Sequence, residues 1–242
     1  MSLTPEGQFL CEKAEAILPL LARAVEDTRQ LNRNYVPVIT VGVSRDELLP
    51  HKVIETLDNL NKSTGMRVVL EQESYQGLIS GLERHSYDLI ITTDRNIRTR
   101  NDFDYLPLRR FELVLAVSKK HPKAEKEFLS PQDFKDEQLL IALPDGKDVP
   151  HNVIASVYNN CGGEVNLVFF STPSDTVLNV AIGSGIAIVS NLVDQKLYPG
   201  IRFVHFEDRF DSYQHLVWRK NESSPVTLAC RDAISACAAP VL

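Results

Sequence analysis

Side chains able to hold a small polar molecule recur in this chain where strands should end. Ser44-Arg45, Ser74-Tyr75, Thr92-Thr93, the turn at residues 144–146 and the run at residues 171–174 each follow an apolar, β-branched stretch. In an open α/β sheet such turns join the carboxyl end of a strand to the N-terminus of a helix. Unpaired N–H groups and hydroxyls there can bind a carboxylate or an amide. One Ser or Thr in such a place is an ordinary helix cap; the repetition along the chain is what points to a ligand site.

Acids stand beside these turns: Asp46 and Glu47 after Ser44, Asp94 after Thr93, then Asp145 and Asp175. First-turn acids complement the helix dipole. Where several face one cleft they repel an anion and favour a zwitterion or a cation, with Arg45 or Lys147 holding any carboxylate. Signatures of catalysis are missing. The sequence has no Walker loop and no G-x-S-x-G, and its histidines, at 51, 85, 121, 151, 205 and 215, form no helical pair three or four apart. No catalytic residue, metal site or cofactor is expected. Gly183-Ser184-Gly185 precedes a strand instead of following one, which makes it a tight helix-to-strand turn rather than a dinucleotide loop. Cys11, Cys161, Cys230 and Cys237 show no C-x-x-C spacing. On a helix, Cys230 and Cys237 stand about 10 Å apart along the axis, too far for a disulfide. Reduced, structural thiols are expected.

The elements that position these turns are legible in the hydrophobic pattern. Residues 38–44, V-I-T-V-G-V-S, read as a strand covered on both faces, with Ser44 free to cap the next helix. A helix follows with Leu49, Val53, Leu57 and Leu60 on one face, ending near Thr64-Gly65. Strands at residues 66–70 and 88–92 flank a helix capped by Ser74, the spacing of successive βαβ units, so these strands should be parallel. Residues 111–117 form another strand, and the polar stretch after it reads as a crossing into a second lobe. There, strands at 139–143, 165–170 and 186–189 alternate with helices around 153–158 and 174–182. Strands at 201–206 and 213–218 follow, the latter returning to the first lobe, and Pro225 opens a terminal helix.

Ahead of all this, residues 4–33 form one long helix capped by Thr4, with Pro19 expected to kink it. Ala14, Ile17, Leu21, Ala24, Thr28 and Leu31 repeat at spacings of 3 and 4, a stripe suited to a partner helix.

Composition excludes several classes. With 242 residues the chain can form two α/β lobes. Its 43% hydrophobic and 24% charged residues are those of a globular protein. A net charge of -6 argues against a surface devoted to nucleic acid. No apolar run is long enough to span a membrane, and the N-terminus lacks the pattern of a signal peptide, so a cytoplasmic location is expected.

Taken together, these residues resemble the LysR-type transcriptional regulators. Leu3-Thr4-Pro5-Glu6-Gly7 is similar to the family's L-T-x-x-G entry into a linker helix. Residues 38–44 followed by Leu48-Leu49-Pro50 resemble the opening of its effector domain. Tyr87-Asp88-Leu89-Ile90-Ile91 is similar to its D-L-A-I strand, and V-A-I-G-S-G-I-A-I-V-S at 180–190 to its V-x-x-G-x-G-I-A-x-x-P segment, with Ser190 where proline is common. Leu216-Val217-Trp218-Arg219-Lys220 matches the returning strand.

The resemblance implies an α/β fold: a two-lobed, periplasmic-binding-protein-like type 2 domain behind a long linker helix. It divides the chain into a linker and dimerisation helix at 1–34, a first lobe at 35–117 and 212–242, and a second lobe at 118–211. The effector contacts it implies are Ser44, Arg45, Ser74, Tyr75, Thr92, Asp145, Thr172 and Ser174. The implied partners are a small-molecule effector, zwitterionic or bearing a carboxylate, and further copies of the chain in a homodimer or tetramer. DNA would be bound only through a winged helix-turn-helix, for which this sequence has no counterpart. The rival readings are a solute-binding transport protein, which would need an export signal; an enzyme on the same fold, which would need an acid, base or nucleophile in the cleft; and a redox sensor acting through Cys161.

Overall fold

The computed structural model describes residues 4–29, 36–45, 47–93, 97, 100–130, 133, 136–142 and 166–238. Helix α1 (Pro5–Arg29) comes first and continues as one element across position 19. Thr4 caps it, its Oγ1 accepting from the Gly7 N–H at 3.1 Å. Then follow β1 (Val38–Ser44), α2 (His51–Thr64), β2 (Arg67–Glu73), α3 (Tyr75–Glu83) and β3 (Leu89–Thr93). The β-branched residues of β1 and β3 are buried because helices cover both faces of this sheet. Val53 and Leu57 of α2 pack with Ile39, Val41, Val43 and Ile91 on one side, and Leu78 and Leu82 of α3 with Ile90 on the other. Helix α2 ends on left-handed Gly65, at the predicted stop. Strands β2, β1 and β3 lie parallel in that order, as the βαβ spacing predicts.

The next strand departs from the sequence reading. It begins at Phe103, not near 111, and β4 (Phe103–Ser118) runs through 16 residues. Alternation is blurred by Pro107 and the Arg109-Arg110 pair, which hides its first half in sequence. That half pairs antiparallel with β10 (Asp211–Arg219), which pairs antiparallel with β3 and completes the first sheet. The second half, from Leu113 onward, belongs to the second sheet, between β8 (Ile186–Ser190) and β9 (Ile201–Phe206). Beyond β8 lie β6 (Gln138–Ala142) and β7 (Asn166–Phe170), parallel to one another. The short β5 (Phe128–Leu129), too brief to show periodicity, pairs with β9.

Helix α4 (Pro173–Ala181) packs Val177 and Val180 against Leu140 and Ala187. The turn after it requires glycine: Gly185 has φ 151°, and a Cβ there would lie 2.3 Å from the Gln138 carbonyl oxygen. Helix α5 (Pro225–Cys237), capped by Ser224, returns to the first sheet and buries Cys230 and Ile234 beside β1. The expected helix near 153–158, and Cys161, lie outside the described residues.

Candidate functional site

Strand direction places the site. β3 and β4 both run antiparallel to β10, so the carboxyl ends of β1, β2 and β3 point the way β4 travels as it leaves the first sheet. β8 runs antiparallel to β4 and ends with Ser190 opposite Leu113, where the second sheet begins. β6 and β7 are parallel to β8 and end on the same side. The carboxyl ends of both sets of strands therefore face the junction between the sheets. Backbone bonds cross it: the Leu48 N–H donates to the Leu192 carbonyl at 3.0 Å, and the Asn191 N–H to that of Glu112 at 2.9 Å.

On the first-sheet side, Ser44 Oγ donates to Thr92 Oγ1 at 3.0 Å, tying β1 to β3. Ser44 therefore does not cap α2, which starts seven residues later behind Pro50 without a side-chain cap. Leu49 likewise precedes the helix, though it packs against the same core. Ser74 caps α3 as expected, accepting from the Gly77 N–H at 3.2 Å, and Tyr75 is half-buried against the α3 core. Glu73 Oε1 accepts the Ser74 N–H at 2.6 Å and faces Arg45 at 3.4 Å. The Ser74 N–H above all, then its hydroxyl and Arg45, hold the Glu73 carboxyl below its ordinary range. Arg45, expected to hold a carboxylate from the ligand, already faces one of the protein's own.

On the second-sheet side, Thr172 caps α4, its Oγ1 accepting from the Asp175 N–H at 3.0 Å. Ser174 Oγ lies 2.7 Å from the Tyr198 hydroxyl. Asp46, Asp94, Asp145 and Lys147 lie outside the described residues. The structure thus brings Ser44 and Thr92 into contact, groups Arg45 and Ser74 around Glu73, and sets Thr172 and Ser174 on the other sheet.

Sequence reading missed a second polar group on the first-sheet edge. Arg109 of β4 donates from Nε to Gln214 Oε1 at 3.1 Å and from its Nη2 to the Leu48 carbonyl. Burial lowers the proton affinity of this guanidinium, and the charge of Glu47 opposes that. Gln214 is 1% exposed and sits at a register shift in β10, paired with Thr93 on one side and Arg109 on the other. The available signal was a cation and an amide inside otherwise apolar strands. It could be used only once β4 was known to begin before Arg109. Among the described residues, no cluster of three or more His, Cys, Asp or Glu is placed to hold a metal. A separate cavity of 690 Å³ lies between α1 and the opposite end of the first sheet, lined by Leu20, Phe103 and Arg219. The Arg219 guanidinium there is committed to the Leu82 and Tyr87 carbonyls and to Glu222.

Comparison with known proteins assigns the family. The model of the LysR substrate binding domain matches residues 55–238. The transcriptional regulator MetR of Salmonella typhimurium is 26% identical over 145 residues, 58% of this chain and 43% of that protein. A helix-turn-helix-type regulator of Methanocaldococcus jannaschii is 25% identical over 205 residues, 81% of this chain and 66% of its own. The chain thus spans less than half of MetR. Among solved structures, the effector binding domain of QuiR in complex with shikimate superposes with a TM-score of 0.71 at 22% identity, covering 84% of this chain and 98% of that one. Full-length CbnR in complex with its target DNA gives 0.75 at 17% identity, covering 98% and 84%. The fold is that of LysR effector-binding domains, the two-lobed periplasmic-binding-protein-like type 2 architecture. Among the described residues no helix is long and apolar enough to cross a membrane. The strand order, the crossing β4 and the matched family model together make this chain a member of the LysR substrate binding domain family.

Proposed function

We propose that this chain is the effector-sensing and oligomerising part of a LysR-type transcriptional regulator acting in the cytoplasm. The observation that carries the reading is the convergence of both sets of strand ends on one junction, with Ser44 and Thr92 paired at its edge. The proposed contacts are Ser44, Arg45, Ser74, Tyr75, Thr92, Asp145, Thr172 and Ser174. We divide the chain into a helix at 1–34, a first lobe at 35–117 and 212–242, and a second at 118–211. The relatives named above are transcriptional regulators, and no residue is given a catalytic role.

An effector acts by preferring one arrangement of the lobes, and it shifts the population by no more than its differential affinity. The bond between Leu48 and Leu192 is the kind of contact that such a shift makes or breaks. Helix α1 supplies the oligomer contact in this reading: Ile17, Leu18 and Leu21 are 60%, 61% and 59% exposed, an apolar surface suited to a second copy in a dimer or tetramer. DNA is reached through a winged helix-turn-helix in the whole protein.

A thermal-shift panel of amino acids, polyamines, aromatic acids, shikimate and short dicarboxylates tests the reading. Ligand bound only to the native state raises stability as RT ln(1 + [L]/Kd). A shift abolished by Ser44→Ala supports a ligand at the junction. Shifts that persist unchanged in both Ser44→Ala and Thr172→Ala count against it.

A further inference from the structure

The first-sheet edge carries a charge balance that restricts what can bind there. Gln214 Oε1 accepts from Arg109 Nε, and arginine offers only donors, so the amide orientation is fixed and Nε2 is left as a donor. That Nε2 is buried and has no acceptor among the described residues. A buried donor without a partner is costly, and native proteins tolerate few. An acceptor oxygen from outside the chain would satisfy it.

Both arginines described on this edge already face carboxylates. Arg45 lies 3.4 Å from Glu73, and Arg109 feels the charge of Glu47, which precedes the Leu48 carbonyl that Arg109 also binds. A simple carboxylate would bring an uncompensated negative charge into a half-buried place, at a desolvation cost that nothing repays.

We propose that Gln214, Arg109 and Glu47 form a subsite for a net-neutral ligand of the amino-acid type. Its carboxylate accepts from Gln214 Nε2 and lies toward Arg109, and its ammonium lies against the Glu47 carboxylate. Ser44 and Thr92 stand at the end of the same sheet but on its other face, since Gln214 pairs with Thr93 and His215 with Thr92, so the subsite is separate from that hydroxyl pair. Entry requires the loop at 47–49 to separate from Leu192, which couples this subsite to the arrangement of the two sheets. The proposal rests on the effector-sensing reading and adds the charge class of the effector.

Isothermal titration of this chain with glycine, L-alanine, L-serine and L-leucine, and in parallel with acetate, succinate and shikimate, tests it. At least one amino acid should saturate, with the simple carboxylates at least tenfold weaker. Glu47→Gln removes the anion and leaves Arg109 uncompensated. It should weaken the amino acid at least tenfold and strengthen the carboxylates, a reversal that a purely structural role for Glu47 would not produce. Gln214→Met should weaken the amino acid at least tenfold; should it fail to fold, Gln214→Glu keeps the acceptor for Arg109 while removing the donor. Stronger binding of carboxylates than of amino acids by the native chain overturns the proposal. So does amino-acid binding that is lost in Ser44→Ala yet unchanged in Glu47→Gln and the Gln214 variant, an outcome that leaves the effector-sensing reading standing. No saturable binding by either class overturns the proposal, and the effector-sensing reading falls with it only where the wider thermal-shift panel also gives no shift.

Discussion

At the first-sheet edge the hydroxyls of Ser44 and Thr92 bond to each other across two strands, whereas at the second-sheet edge Thr172 is committed to the backbone of α4 and Ser174 to Tyr198. The same residue types do different work. A hydroxyl pair between strands can turn to a ligand and leave the strands paired by their own backbone bonds, whereas a cap that turns away uncaps its helix. At the Ser44–Thr92 pair the first edge is therefore adaptable, whereas Ser74 there, like Thr172 on the second edge, is committed to its helix.

Breaking the scaffold that carries the second edge, at the far end of its sheet, should have the largest effect. Gly185→Ala would place a methyl group against the Gln138 carbonyl at a φ that side chains rarely adopt. We expect a loss of about 3 kcal/mol or more in urea unfolding, with expression falling accordingly. A change of under 1 kcal/mol would mean that the turn between α4 and β8, at the end of the second sheet away from the junction, relaxes freely.

Thr92→Val removes the partner of Ser44 at a fully buried position. It should cost about 1–2 kcal/mol and abolish any ligand-induced thermal shift. Thr172→Ala should cost about 1 kcal/mol through the lost cap and weaken a measured ligand affinity clearly, though less than Thr92→Val does. A loss of affinity as large as that of Thr92→Val would erase the distinction between the edges.

Acid supplies the gentlest test. Glu73 is held below its ordinary 4.5, chiefly by the Ser74 N–H, and Asp211 below its ordinary 3.8, chiefly by Arg110. For carboxyls depressed in the folded state, the stabilisation is full above the unfolded values and is lost as pH falls through the folded ones. The melting temperature should therefore decline below about pH 4.5, and it should decline less steeply in Glu73→Gln, where the first-edge contribution is absent. Burial pushes the Cys230 thiol up to about 12. The native state disfavours its thiolate, so this group contributes no loss in acid and lowers stability only above its ordinary 9.0.

Much of the scaffold was readable from local pattern. The parallel order of β2, β1 and β3, the caps Thr4 and Ser74, and the glycine stops at 65 and 183–185 each follow from a hydrophobic period or a backbone preference within a few residues. The family resemblance agrees with the matched family model, whose residues 55–238 contain the segments at 87–91, 180–190 and 216–220 on which it partly rests. The start of β4 was misread, since a strand that leaves one sheet for another keeps no constant exposed face and so shows no clean alternation.

The site divides in the same way. Residue types and strand ends nominated Ser44, Ser74, Thr92 and Thr172 from sequence alone, because a polar residue closing an apolar run is a local signal. Their bonding was not local. That Ser44 pairs with Thr92 and not with α2, that Arg45 spends its charge on Glu73, and that Gln214 meets Arg109 across 105 positions of sequence are facts of pairing between distant strands. Sequence determined which groups stand at the carboxyl ends. Tertiary structure alone decided which of them neutralise one another, because charge balance and hydrogen-bond satisfaction depend on neighbours in space, and β4 and β10 bring those neighbours together only on folding.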